Sequence, residues 1–165
     1  MNKSQALAVA AIVVCAAMAS SVPCAAQSAP RDSVVAVVNE FFRAMATSDS
    51  VAAARTVHPQ GMTYSFQPRG DTAVMYVEGL SAFPASLAKN KRKLVERMWE
   101  PTVHVRGPIA IVWTQYDFHV DGTFSHCGVD AFTLARTSRG WRIVNIAYTV
   151  ELTGCKPAPL GPPGK

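Results

Sequence analysis

The second half of the chain is a run of strand-like segments joined by short turns, and this run constrains the fold most. In order, the segments are "ERMWEPTVHVRG", "IAIVWTQYDFHV", "TFSHCGVDAFTLAR" and "WRIVNIAYTVEL". Each is rich in β-branched and aromatic residues, and Gly107-Pro108, Asp121-Gly122 and "TSRG" supply the turns. Because such short turns join antiparallel neighbours, the sequence predicts a four-stranded antiparallel meander.

Helical signals precede this meander. Asp32 or Ser33 can cap a first helix, in which apolar residues recur every three or four positions from Val34 to Met45. Ser48 or Asp49 can cap a second helix, "SVAAARTV", and a third helical piece is predicted from Ser81 to Ala88. Between the last two, "MTYSF" and "AVMYV" are predicted strands around the turn "QPRGD".

The order of these elements predicts the fold class. Helices followed by a long meander indicate an α+β fold, with the N-terminal helices packed on one face of a curved antiparallel sheet. Such a sheet encloses a cone-shaped pocket, and ligands commonly bind in such mouths. We expect a linker over residues 27–31, one domain over residues 32–155 and a disordered Pro/Gly-rich tail over residues 156–165.

The first 26 residues have the features of a signal peptide. Lys3 is followed by the apolar stretch "ALAVAAIVVCAAMA", which is too short to span a membrane, and "CAAQ" predicts cleavage after Ala26. We therefore expect a periplasmic or secreted protein with no membrane partner after cleavage. Two alternatives stay open: an uncleaved membrane anchor, and a lipoprotein that carries its lipid on Cys24.

Cysteine usage agrees with export. Cys15 and Cys24 leave with the signal peptide, so the mature chain keeps Cys127 and Cys155. Two cysteines in an exported chain favour one disulfide. Cys155 shortly follows the last strand, which pairs with the strand that carries Cys127, so a bridge would tie the tail to the sheet.

The charge pattern gives little evidence for an anionic partner. The net charge is +5, and the densest basic patch comprises Lys89, Lys91, Arg92, Lys93 and Arg97. No aromatic residues alternate with these charges, so we interpret the patch as a solvated turn and expect no nucleic-acid partner. The four histidines lack the close spacing of metal ligands, and no glycine-rich phosphate loop is present. We therefore expect no metal and no cofactor.

Asp121 and Gly122 predict the register of the central hairpin. With these two residues as the loop, Val120 pairs with Thr123, and every further pair follows in step. One face of the hairpin then carries Ile111, Trp113, Gln115, Asp117, His119, Phe124, His126, Asp130 and Phe132. The other face carries Val112, Thr114, Tyr116, Phe118, Cys127, Val129 and Ala131. Either face can line the pocket, and we choose the first.

This register selects the candidate catalytic residues. Adjacent strand residues point to opposite faces, so His126 and Cys127 do not form a nucleophilic pair. Asp117, placed opposite His126, can orient the imidazole of a general base, although an ordinary cross-strand ion pair is the simpler interpretation. Asp130 is expected beside Trp113, where burial would raise its pKa and suit it to act as an acid. The alternative is an acid that is hydrogen-bonded to a neighbouring strand or faces a dimer partner.

Four further side chains are the predicted ligand contacts. Trp113, Gln115 and Phe132 belong to the chosen face of the hairpin, and Tyr64 belongs to an earlier strand. Aromatic residues of this kind serve the core first, but a pocket inside the cone requires several of them in its wall.

Three segments carry a family resemblance: "VVNEFFRAMATSD", "GPIAIVWTQYDFHVDGTFSHCGVDAFTLAR", and "GWRIVNIAYT" with a late "GC". Together they resemble the nuclear transport factor 2-like superfamily, and within it exported bacterial proteins labelled lumazine-binding or polyketide-cyclase-like. The resemblance covers about Asp32–Cys155. It implies a cone with a pocket, often a homodimer through the sheet, in a superfamily of isomerases, dehydratases, hydrolases and non-catalytic binders. The Tyr and Asp pair of the isomerases has no counterpart here by spacing.

Three functional hypotheses follow. The first is an exported protein that binds a small, partly apolar molecule in its cone. The second is an acid–base enzyme, either an isomerase, a dehydratase or a hydrolase, that uses Asp117 with His126, or Asp130. The third is a non-catalytic module that dimerises through the outer face of its sheet. Fold alone does not decide between them.

Overall fold

The computed structural model describes residues 25–163 of the chain. The predicted signal peptide lies outside these residues except for its last two positions. Within the described part, no helix combines the length and apolar character that crossing a membrane requires.

The helices lie where the capping signals place them, except at the start. Their bounds are α1 Ala25–Ala46, α2 Ser50–Thr56, a 3-10 turn Leu80–Ala82, and α3 Phe83–Lys89. Asp49 caps α2, because its Oδ1 accepts a hydrogen bond from the backbone N–H of Ala52 at 2.8 Å. The first helix begins seven residues before Asp32 and includes Pro30, so the segment expected to be a linker is helical in the structure.

Six strands form a single mixed sheet. Their bounds are β1 Val57–Arg69, β2 Thr72–Gly79, β3 Leu94–Arg106, β4 Ile109–Val120, β5 Thr123–Thr137 and β6 Gly140–Thr149. The order across the sheet is β2-β1-β6-β5-β4-β3. The predicted meander of β3 to β6 is confirmed, but β1 pairs with β6 in parallel, so the sheet is not antiparallel throughout. This pairing joins the early hairpin to the last strand.

A β-bulge in the central hairpin overturns the predicted register. Val120 pairs with Thr123 and His119 with Phe124, as expected, but Phe118 then pairs with His126. Ser125 is the extra residue. Since side chains alternate along a strand, one inserted residue reverses which faces of β4 and β5 come together.

The core lies between α1 and the inner face of the sheet. Phe41 and Phe42 of α1 are buried and contact the ring of Phe132 edge-on, with ring centroids 6.1 and 5.8 Å apart. Val38 and Val34, one and two turns earlier, are fully buried on the same stripe. Burial of this stripe fixes α1 across the sheet and leaves a cavity at one end of it.

The predicted disulfide between Cys127 and Cys155 is present, with the two Cα atoms 5.9 Å apart. Backbone hydrogen bonds join Cys127 and Glu151 in both directions, which brings the segment after β6 alongside β5. We expected a disordered tail beyond this point. In the structure, the carbonyl oxygen of Gly161 accepts a hydrogen bond from Arg97 on the sheet at 2.7 Å.

Candidate functional site

A cavity of about 330 Å³ opens between α1, the α3 region and the inner face of the sheet. Its wall is mainly apolar and aromatic, with a few ionisable and hydroxyl groups. Its lining residues include Phe41, Phe83, Glu96, Tyr116, Phe118, His126, Asp130, Phe132 and Tyr148. This is the composition expected of a pocket for a small organic molecule.

The bulge at Ser125 decides which side chains reach this cavity. After the bulge, His126, Asp130 and Phe132 of β5 share the inner face with Tyr116 and Phe118 of β4. The pocket therefore combines residues that the sequence analysis assigned to opposite faces.

Glu96 and Asp130 form a carboxyl pair inside the cavity. The two side chains interact directly, and the closeness of two carboxyl groups favours a state in which one of them holds a proton. Burial raises the pKa of Asp130 to about 7, and burial together with the neighbouring Asp130 raises the pKa of Glu96 well above its usual range. Asp130 is 1% exposed, and its Oδ2 has no hydrogen-bond donor within the described residues.

Two tyrosines stand beside this pair as neutral phenols. The hydroxyl of Tyr116 donates to the carbonyl oxygen of Thr149 at 2.6 Å, and burial raises its pKa strongly. Burial also raises the pKa of Tyr148, although the nearby Ser65 hydroxyl partly opposes the shift. Because both stay protonated at neutral pH, neither can act as a base, and the phenol of Tyr116 is already committed to Thr149.

His126 lies on the cavity wall between aromatic rings. Its ring centroid is 4.9 Å from that of Phe118 and 5.8 Å from that of Tyr116, and its Nδ1 lies 3.0 Å from the hydroxyl oxygen of Ser125. Burial lowers the pKa of His126, so its imidazole is neutral near pH 7. It can exchange a hydrogen bond with a ligand without carrying charge.

The predicted pairing of Asp117 with His126 is wrong. The bulge puts Asp117 opposite Cys127 on the outer face, where both of its oxygens accept hydrogen bonds from Arg97, at 2.9 and 2.5 Å. The Nδ1 of His119 lies 3.7 Å from Asp117. Asp117 therefore belongs to an ion pair outside the cone, the simpler interpretation given above, although with a different partner.

The other predicted contacts divide between the two faces. Phe132, like Asp130 and His126, lines the cavity. Trp113 is 54% exposed on the outer face, and Gln115, two residues later, lies on the same face. Tyr64 is half-buried and does not line the cavity, because its neighbour Thr63 takes the inward position.

Glu96 is the site residue that sequence reasoning missed. It sits on β3 opposite Phe118 of β4, near the start of the strand. Glu96 and Met98 are two residues apart on β3, so their side chains share one face of the strand. This pattern identifies Glu96 as a site residue only once the inner face of β4 is known. Within residues 25–163, no three His, Cys, Asp or Glu side chains come together as a metal site.

Comparisons with known proteins agree with this architecture. Residues 29–149 match the sequence profile of the family described as "Putative lumazine-binding". No curated protein was found that matches the chain significantly.

Solved structures share the fold at low sequence identity. A nuclear transport factor 2-like superfamily protein from Salmonella enterica superposes with a TM-score of 0.60 at 17% identity, over 78% of this chain and 96% of that one. A protein of the same kind, with a cystatin-like fold, from Novosphingobium aromaticivorans gives 0.59 at 18% identity, over 79% and 87%. A third, from Cytophaga hutchinsonii, gives 0.60 at 11% identity, over 73% and 97%.

The match over residues 29–149 and the shared fold confirm the predicted resemblance. The chain belongs to the family described as "Putative lumazine-binding" and has the nuclear transport factor 2-like fold.

Proposed function

We propose that the cone binds a small, flat, partly apolar molecule whose polar edge meets the Glu96–Asp130 pair. The observation that carries this proposal is the pair of carboxyl groups, Glu96 and Asp130, in the wall of a mainly apolar and aromatic cavity, where Glu78 is the only other acidic lining residue. Buried carboxyl groups are costly to keep without partners, and Asp130 Oδ2 still has none within the described residues. A ligand that hydrogen-bonds to the pair would relieve this cost.

The aromatic wall suits a flat ring system. Phe41 and Phe83 are stacked with centroids 4.6 Å apart, and Phe118 faces the cavity from the opposite side, on the sheet. Flat ligands gain from stacking on such rings as well as from leaving water. The cavity volume of about 330 Å³ is within the range of small-molecule pockets.

Lumazine is the first probe to use, because the family description names it. It is a fused two-ring heterocycle with adjacent carbonyl and ring N–H groups. A protonated carboxyl donates to a carbonyl oxygen, while the ionised partner accepts from an N–H. A pair with one protonated and one ionised carboxyl therefore matches the adjacent carbonyl and N–H groups of lumazine.

The test is a titration of the purified protein with lumazine, followed by calorimetry. We expect saturable binding that is weakened at least about tenfold by Asp130→Asn and by Glu96→Gln, since each removes an oxygen that can accept from the ligand. Gln115→Ala, on the outer face of the sheet, is the matched control and should bind as the unchanged protein does. Equal weakening by the control variant, or no binding of lumazine or of any co-purified molecule, would refute the proposal.

Acid–base catalysis is the second candidate function. The pKa of Asp130, about 7, is the observation that favours it, because a general acid or base works best near the ambient pH. Asp130 would be the proton carrier and Glu96 its partner, with His126 placed to orient a substrate. Turnover of a bound compound that Asp130→Asn abolishes, without loss of binding, would identify an enzyme.

Export and dimerisation complete the proposed function. The leader-like sequence before residue 27 and the Cys127–Cys155 disulfide both support an oxidising compartment outside the cytoplasm. On the outer face of the sheet, Ile111 and Trp113 are about half exposed, which supports a homodimer through that face. Size-exclusion chromatography with light scattering of Trp113→Ser would test the dimer.

A further inference from the structure

A second cavity, of about 520 Å³, lies on the other side of the α3 region. It is open to solvent and is bordered by the α2–β1 junction, the start of α3 and the turn between β5 and β6. Its lining residues are Ala54, Arg55, Val57, His58, Pro59, Ser81, Pro84, Thr137, Ser138, Arg139 and Arg142. No residue lines both this cavity and the cone. We call it the arginine cavity.

Three arginines, Arg55, Arg139 and Arg142, line this cavity, and its wall contains no acidic residue. None of the three is ion-paired with another described residue; the paired arginines of residues 25–163 all lie elsewhere. Arg142 donates only to the backbone carbonyl of Trp141, at 2.7 Å. Like charges held together around one cavity repel, and an anion between them would remove that repulsion.

Neutral donors accompany the three charges. Ser81 and Ser138 contribute hydroxyl groups to the wall. The Nδ1 of His58 accepts from the backbone N–H of Gln60 at 3.2 Å, which leaves the ring proton on Nε2 as a donor. Guanidinium forks and hydroxyl groups together match the oxygens of a phosphate group, which accepts several hydrogen bonds at once.

We propose that the arginine cavity binds a small molecule that carries phosphate. Three positive charges exceed what one monovalent carboxylate can balance, whereas a phosphate ester or diphosphate supplies two or more negative charges. Pro59 and Pro84 give the same cavity an apolar edge for the rest of the molecule. This site is separate from the cone, so it does not depend on the function proposed above.

Calorimetric titration with inorganic pyrophosphate tests the proposal. We expect saturable binding, weakened about tenfold or more by Arg139→Gln and by Arg142→Gln, because each removes a charged donor from the cavity. Arg106→Gln is the matched control: Arg106 is exposed on β3, outside the cavity, and its loss changes the net charge equally. Arg139 is exposed in the turn before β6, so its replacement leaves the core intact.

Three outcomes would overturn the proposal: no saturable binding of pyrophosphate, equal weakening by Arg106→Gln, or citrate binding as tightly as pyrophosphate. The last would identify a general polyanion site without preference for phosphate. Binding of lumazine in the cone should be unchanged by Arg139→Gln, which keeps a failure of this site distinct from a failure of the proposed function.

Discussion

The carboxyl groups of Glu96 and Asp130 interact directly although β4 lies between their strands, β3 and β5. The two carboxyl groups meet because all three strands turn the same face toward the cone. Burial, together with the closeness of the two acids, keeps a proton on the pair at a pH where both acids are ionised in water.

Stability should fall as the pH rises from about 4 to about 7. The folded-state pKa values of both acids are raised. Their contribution to the free energy of unfolding is therefore complete below the pKa of the unfolded state. It is lost as the pH rises through the pKa of the folded state, which is about 7 for Asp130. At about 1.4 kcal/mol per pKa unit, Asp130 accounts for up to about 4 kcal/mol. Urea unfolding should show this loss in the native chain and not in Glu96→Gln/Asp130→Asn; parallel profiles would contradict the assignment.

Gly128→Ala should destabilise the protein by about 1–3 kcal/mol. A Cβ at Gly128 would clash with the carbonyl oxygen of Thr149 and lie 2.9 Å from Cε1 of Tyr116, so the hydrogen bond between these two residues must shift. Gly79→Ala is the control, because there the nearest atom is 3.5 Å away. Thermal unfolding measures the destabilisation by each substitution. Equal destabilisation would show that the close approach of Gly128 to Thr149 and Tyr116 is not needed for stability.

Arg97→Ala should destabilise by about 3 kcal/mol, because it leaves the nearly buried carboxylate of Asp117 without its partner. Arg92→Ala removes an equivalent pair with Asp121, whose side chains are 64% and 52% exposed, and should cost under about 1 kcal/mol. Denaturant titrations of the two variants provide the comparison. Similar costs would mean that solvent screens the Arg97–Asp117 pair as well.

Reduction of the disulfide should cost about 3 kcal/mol in the chain-entropy model, given the 28-residue separation of Cys127 and Cys155. The melting temperature of the native chain should fall when a reductant is added. The double variant Cys127→Ser/Cys155→Ser should have the melting temperature of the reduced protein, and the reductant should not change it. An unchanged melting temperature on reduction would show that the bridge adds no stability.

Local signals in the sequence predicted most of the elements of this fold. Asp49 caps α2 and the turns after Gly107 and Asp121 join antiparallel strands, because these features depend only on neighbouring residues. The parallel pairing of β1 with β6 joins distant parts of the chain. No local pattern encodes it, so it required the structure.

The candidate site was predicted in part for the same reason. His126, Asp130 and Phe132 were chosen correctly as one face of β5, since alternation along one strand is local. Their partners across the hairpin were wrong because nothing in "DGTFSHC" marks Ser125 as a bulged residue. Because of that single residue, Tyr116 and Phe118 line the cavity in place of the predicted Trp113, Gln115 and Asp117.

The most direct test of the carboxyl pair is the NMR titration of the ¹³C-labelled side chains of Glu96 and Asp130, with and without lumazine. Without ligand, the signal of Asp130 should titrate near pH 7 and that of Glu96 well above its usual range. Added lumazine should shift both carboxyl signals. Two carboxyl groups that titrate near pH 4 and do not respond to lumazine would contradict a protonated, ligand-binding pair in the cone.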